Sequence, residues 1–311
     1  MSQQPFSRQP AVAGAVDLSG LQQPAAGQAA PAGAAGAPSG AYTVQVTEAT
    51  FQSVIEASMT APVVLVFVSG SRMPSSLDYG RDVAEVIEGY DGRFLAAIVD
   101  ADAAPTIANA LQVQQIPTTF VLLDGRPAMQ PIPGVVTAEE LQALFQQLGQ
   151  QLTMQGIAGR HQPRQSVSED GEPAADPRYA AAEQALIDGD IDAAVAEYQK
   201  LVEGNPADTE AARGLAMAKV LQRTRGVDLG TARAAAAASP DDVDAQIMVA
   251  DLDLLGGHVE DAFARLVGLV SRTAGDERNK AREHLIALFE AVGNEDPRVL
   301  NGRRALASAL F

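Results

Sequence analysis

Residues 63 to 68 read Val-Val-Leu-Val-Phe-Val, an unbroken apolar and mostly β-branched run closed by Ser69 and Gly70. A strand with one face in water alternates apolar and polar side chains, so a continuous run of this kind marks a strand covered on both faces. It is read as a central strand that ends in a loop. Beyond the loop, Pro74 stands at the start of an expected helix, where its missing N–H costs no hydrogen bond, with Ser75 and Ser76 in the first turn.

The neighbouring segments supply the rest of an α/β layer. Thr43 to Val46 alternates as a strand. Thr47 to Ser58 reads as a helix capped by Thr47, with Phe51, Val54 and Ile55 on one face. Ser75 to Tyr90 is a helix whose apolar positions are Leu77, Val83, Val86 and Ile87, and Phe94 to Val99 is a second buried strand. Asp100-Ala101-Asp102 closes that strand, and a short helix runs to about Leu111. Thr118 to Leu123 is a strand, with Asp124-Gly125 as a hairpin signal leading to a partner near Met129 to Val135. Thr137 caps a last amphipathic helix with Leu141, Leu144, Phe145 and Leu148 inward.

This order, β-α-β-α-β-α-β-β-α, resembles a thioredoxin domain, and the loop after the central strand is similar to that family's active-site segment. Where thioredoxins carry Cys-Gly-Pro-Cys, this chain has Arg72, Met73, Pro74 and Ser75. Ile116-Pro117-Thr118 resembles the second signature. The resemblance implies a cis proline at Pro117 beside the loop, and a backbone edge at Ile116 that hydrogen-bonds an extended segment of a bound protein. The chain has 0 cysteines. Thiol–disulfide exchange requires a thiolate, so that chemistry is excluded. The family's buried acid, one residue before the strand phenylalanine, is also replaced, by Val66 before Phe67. A scaffold kept without its redox chemistry is the expectation.

With 311 residues the chain is about twice a typical single domain. Residues 1 to 40 are rich in Ala, Gly, Pro and Gln and read as a disordered tail, whose apolar island at 15 to 21 is read as solvated. The thioredoxin-like domain is assigned to 41–152, a polar linker to 153–176, and a helical domain to 177–311. In that domain Gly-Asp-Ile-Asp-Ala-Ala at 189 recurs as Gly-His-Val-Glu-Asp-Ala at 257, and 257 − 189 = 68. Asn-Pro-Ala-Asp at 205 recurs as Ser-Pro-Asp-Asp at 239, and 239 − 205 = 34. A 34-residue period of paired helices is the tetratricopeptide signature. Gly189 and Gly257 allow the turn inside a pair, Ala194 and Ala262 allow close approach, and Pro206 and Pro240 separate repeats. The middle repeat, about 207 to 240, lacks a turn glycine in register. The final helix from Pro297, with Leu306, Leu310 and Phe311, either covers the end of the stack or docks on a partner; the need to cover a terminal repeat favours the first.

Against 22 basic residues stand 39 acidic ones, for a formal charge of −17, which argues against nucleic acid or an anionic membrane as partner. No apolar run approaches a membrane span and no leader-like segment opens the chain, so a cytoplasmic protein is expected. His161, His258 and His284 are scattered, and Ser69, Ser71, Ser75 and Ser76 crowd the loop with no histidine in that domain, which reads as caps and turns. Asp100 and Asp102 read as strand-end solvation. No phosphate loop or metal cluster is present, so no enzyme and no cofactor are expected.

A thioredoxin-like domain lacking its cysteine pair, followed by tetratricopeptide-type helices and ending Arg-Arg-Ala-Leu-Ala-Ser-Ala-Leu-Phe, resembles the bacterial YbbN or CnoX family, the chaperedoxins. The resemblance implies a co-chaperone that holds unfolding proteins and passes them to the chaperonin or the Hsp70 chaperone. Clients would contact the repeat surface and the rim formed by Arg72 to Ser75 and Ile116 to Pro117. A second reading is a peptide adaptor whose repeats clamp a carboxylate through Lys200, Arg213, Lys219 and Arg233, with the first domain a passive spacer. A redox enzyme borrowing a partner's cysteine ranks below both.

Overall fold

The computed structural model describes residues 40–164 and 176–310. The tail assigned to 1–40, apart from Gly40, lies outside the described residues, as does Phe311.

The central strand is β2, Val63–Val68, and all six of its residues are buried. It pairs in parallel with β3, Leu95–Asp100, and antiparallel with β4, Thr118–Leu123. Outside β3 lies β1, Thr43–Val46; outside β4 lie two short pieces, β5 (Arg126–Pro127) and β6 (Ile132–Pro133), both antiparallel to it. Successive side chains of a strand point to opposite faces, so β2 feeds two cores. Val64, Val66 and Val68 pack with residues of α2 (Ser75–Glu88) and α4 (Ala138–Met154); Val63, Leu65 and Phe67 pack with residues of α1 (Phe51–Ala57) and α3 (Pro105–Ala110). On the second face the Phe67 and Phe120 rings meet edge-on at 5.6 Å. The continuous run and the two-sided burial are one fact, and the first half of the chain is a thioredoxin-like α/β domain.

Local differences from the sequence reading have local causes. The helix expected from Thr47 begins at Phe51, because Thr47 and Thr50 close a turn on themselves with their hydroxyls 3.1 Å apart. Of the strand partner expected near 129 to 135 only Ile132–Pro133 (β6) pairs with β4, β5 lies before it at Arg126–Pro127, and the hairpin turn is made by Asp124 and Gly125, both at positive φ. Leu77 lies outward on α2, and Tyr79 takes the buried place, its hydroxyl 3.0 Å from that of Thr119. Thr137 caps α4 as read: it accepts from the Glu140 N–H, and the Glu140 carboxylate returns a bond to the Thr137 N–H.

The second half is all helical: α5 (Ala180–Ile187), α6 (Ile191–Gly204), α7 (Thr209–Thr224), α8 (Leu229–Ala238), α9 (Val243–Leu255), α10 (Val259–Arg272), α11 (Gly275–Val292) and α12 (Pro297–Ala309). The period is visible in the caps. Asp208 and Asp242 cap α7 and α9, and 242 − 208 = 34. Gly189 and Gly257 hold the pair turns at positive φ, and Ala194 and Ala262 are fully buried. Pro206 and Pro240 sit in the turns between repeats. The middle repeat has no glycine at the register position, as read from the sequence. It has a turn glycine, Gly226, also at positive φ, three residues beyond the register position at 223 because α7 runs on to Thr224. The shorter α8 restores the period by Asp242.

Stacking is not uniform. α11 packs on α7 as well as on α9 and α10, and α8 rests on α9. Arg223 of α7 donates to Asp251 of α9 at 2.7 Å, and His284 Nε2 of α11 lies 2.7 Å from the same fully buried carboxylate. α11 thus packs on helices of two neighbouring repeats, α7 of one and α9 and α10 of the next. α12 in turn covers α10, burying Val299, Gly302 and Leu306 against the Phe263 and Phe289 rings. This architecture is tetratricopeptide-like.

The segment read as a linker is only partly one. α4 extends to Met154, and residues 159 to 164 lie along the first domain, with His161 buried. The His161 N–H donates to Gly92 O at 2.7 Å, its Nε2 lies 3.0 Å from Pro62 O, and the Arg164 N–H donates to Ala41 O at 2.7 Å. The reading failed here because a polar segment can be held by its backbone without burying apolar area. Residues 165–175 of the expected linker lie outside the described residues.

Candidate functional site

The loop after β2 is braced by a residue from the next strand's end. The register Val68↔Asp100 brings the C-terminal ends of β2 and β3 side by side, so Asp102 faces residues 69 to 72. The Ser69 and Ser71 hydroxyls donate to its Oδ2 at 2.6 and 2.7 Å, the Ser71 N–H at 3.2 Å, and Arg72 Nε donates to Oδ1 at 3.3 Å. The two hydroxyls, foremost that of Ser69, hold the Asp102 carboxyl down at about 2, with Arg72 adding to the effect. Ser76 closes the other side: its hydroxyl accepts from the Ser69 N–H at 2.9 Å and donates to Met73 O at 2.6 Å. Asp102 is therefore a structural brace and not a solvated strand end.

The four residues at the cysteine-pair position occupy this braced turn. Arg72, Pro74 and Ser75 are exposed and Met73 is half-buried. The pairing Phe67↔Thr118 sets Pro117 next to the end of β2, and the Ile116–Pro117 bond is cis. Pro117 O accepts from Gly134 N–H, while Thr118 is buried and donates to Gln115 O. Ile116 is half-buried and Leu77 is exposed with its methyl against Gly70. Loop, cis proline and Leu77 share the C-terminal end of β2, an apolar rim in which Arg72 is the one cation among these named residues.

A second polar cluster ties the halves together. Asn205 Nδ2, in the turn after α6, donates to the Tyr42 hydroxyl at 2.8 Å and to His161 O at 3.0 Å. Arg178 binds Asp176 and Asp208, and the Tyr179 hydroxyl donates to Asp208 at 2.8 Å. Gly92 is required at the junction: its φ is +78°, and a Cβ there would stand 2.5 Å from His161 O and 2.7 Å from Asn205 Nδ2. The first domain is fastened to the repeats through buried hydrogen bonds.

The four proposed clamp cations are engaged within the chain. Lys200 pairs with Glu197, Arg213 with Glu210 and Arg233 with the buried Asp253, and Lys219 Nζ lies 3.5 Å from Gln199 Oε1. At the far end Leu306 is buried and Leu310 is exposed.

The sequence of residues 222–311 matches the family model described as Tetratricopeptide repeat, whose members are protein–protein interaction modules. Along 307 residues the chain is 36% identical to uncharacterized protein Rv1324 of Mycobacterium tuberculosis, covering 97% of each. Uncharacterized protein Mb1359 of Mycobacterium bovis shows the same identity and coverage. The chain belongs to the family of these mycobacterial proteins. The shared length spans the thioredoxin-like half, the seam at Asn205 and the helical half alike. No helix among the described residues is long and apolar enough to cross a membrane.

Proposed function

We propose that the protein is a redox-inactive co-chaperone: it holds unfolding polypeptides without altering a covalent bond and passes them to a chaperonin or Hsp70 chaperone. The observation that supports this most is the braced, cysteine-free turn at Arg72–Ser75 beside Ile116–Pro117, on a domain fastened to protein-interaction repeats. A polypeptide holder needs apolar groups presented on a body that stays in solution. Leu77, Met73 and Ile116 present such groups, and a charge of −17 opposes self-association. No catalytic activity is part of this reading. The likeness to chaperedoxins, noted from the sequence, is what suggests transfer.

Internal pairing of Lys200, Arg213, Lys219 and Arg233 favours apolar client contact over a carboxylate clamp. The test is transfer. A heat-inactivated enzyme held by this protein regains activity when chaperonin or Hsp70 with ATP is added; recovery no better than without this protein contradicts the reading.

A further inference from the structure

The chain has 0 cysteines and 7 methionines, so the thioether is the only sulfur it offers to an oxidant. A peroxide converts that thioether into a sulfoxide, which replaces a flexible apolar side chain by a polar one. The consequence depends on where each methionine stands. Met129, Met217 and Met248 are partly buried and pack against hydrophobic cores. Met59 and Met154 are 62% and 82% exposed, and both lie at the far end of the sheet from the rim. A Cβ on Gly125, in the hairpin turn beyond the pairing Val63↔Leu122, would stand 3.9 Å from the Met59 sulfur. Met154 follows Thr153, whose hydroxyl accepts from Arg93 Nη2 at 2.6 Å just ahead of β3.

Among the described methionines Met73 alone stands in the rim, half-buried beside the cis proline and Leu77. A flexible, polarizable thioether suits a surface that accepts varied apolar partners. The turn itself does not use it. Met73 N–H donates to Ser69 O at 3.1 Å and the Ser76 hydroxyl donates to Met73 O at 2.6 Å, both main-chain contacts of Met73. The Asp102 brace reaches Ser69, Ser71 and Arg72. Oxidation of the sulfur therefore changes the polarity of the rim and leaves the bonds that shape it in place.

We propose that Met73 is an oxidation-sensitive client contact: a peroxide converts it into the sulfoxide, and the oxidised rim releases unfolded polypeptide. The proposal rests on the reading of the protein as a polypeptide holder and adds a regulation to the same site. The thioether sulfur attacks one oxygen of hydrogen peroxide, the O–O bond breaks, the S=O bond forms, and the other oxygen leaves as water. The sulfur gives up an electron pair and the peroxide is reduced by it. A client side chain that packed on the thioether then meets a polar oxygen, and burying that oxygen without a donor is unfavourable. Methionine sulfoxide reductase with a dithiol reverses the step.

The test uses the full chain, treated with hydrogen peroxide that is then removed, and citrate synthase heated with it. Peptide mass spectrometry is expected to show one added oxygen on Met73. The amount of protein that halves the light scattering is expected to rise about fivefold. Reductase with dithiothreitol is expected to restore the starting value. Met73→Leu is expected to hold clients equally before and after peroxide, although Met59 and Met154 are oxidised in it. The double substitution Met59→Leu with Met154→Leu is expected to lose holding as the wild type does. Hydrogen exchange at the Ser71 and Arg72 amides is expected to be the same before and after oxidation. Met73 left unoxidised, oxidised Met73 with undiminished holding, or an equal loss in Met73→Leu overturns the proposal while the holding function stands. Untreated protein that fails to suppress aggregation overturns both.

Discussion

The Tyr42 hydroxyl, at the start of the sheet domain, accepts a hydrogen bond from Asn205 Nδ2 of the helical domain at 2.8 Å, and both groups are buried. The same amide nitrogen reaches His161 O, so one side chain joins the first domain, the segment after α4 and the repeats. Leaving a buried polar partner unmatched costs about 1–3 kcal/mol. Asn205→Ala should therefore lower stability by about that amount. It should also separate a single denaturant transition into two, read by tyrosine fluorescence against far-UV circular dichroism; an unchanged single transition would show that the seam does not couple the halves.

Burial holds the His161 pKa below its ordinary 6.5, chiefly by desolvation. The folded protein thus binds the proton less well than the unfolded chain. This stability is fully present above pH 6.5 and is lost as pH falls below it toward the depressed folded value. Melting temperature should fall across that window before the carboxylates titrate. His161→Gln, which keeps an amide donor near Pro62 O, should flatten the slope, and a slope identical to wild type would remove His161 from the seam's pH response.

Asp102 is the brace of the rim. In Asp102→Ala the Ser71 and Arg72 amides should exchange with solvent faster while amides of β2 and β3 keep their protection. In the wild type the same loosening should set in only as pH drops from 3.8 toward about 2, where the carboxylate gains its proton. Unaltered exchange at Ser71 in the variant would show the loop to be held by its own turn.

Two helix glycines make opposite forecasts. A Cβ on Gly302 would stand 2.6 Å from the Phe289 ring, whereas on Gly268 it would meet only the flexible Arg272 guanidinium at 3.4 Å. Helix propensity favours alanine by about 0.5–1 kcal/mol at either site. Overpacking a core costs about 1–3 kcal/mol. Gly268→Ala should raise the melting temperature and Gly302→Ala should lower it. A rise for both would mean that α12 packs less closely on the Phe289 and Phe263 rings.

Much of this architecture could be read from residues. The run Val63 to Val68 declared two covered faces, and the spacing of Asp208 and Asp242 carried the repeat. What escaped notice was polar and nonlocal. Ser69 and Ser71 are more than thirty residues from Asp102, and only the parallel register of β2 with β3 brings them together; a polar strand end following a buried run was the available clue. His161 looked like linker because its burial depends on nonlocal hydrogen bonds, its N–H to Gly92 O and its ring Nε2 to Pro62 O. The packing of α11 on α7 has no local signal, since it joins helices separated by three others in the sequence.

The most direct measurement is light scattering from citrate synthase heated with an equimolar amount of this protein under non-reducing conditions. Noncovalent holding requires that aggregation be suppressed although no cysteine is present, and that insulin added separately not be reduced. Scattering that rises as fast with the protein as without it would contradict the holding function.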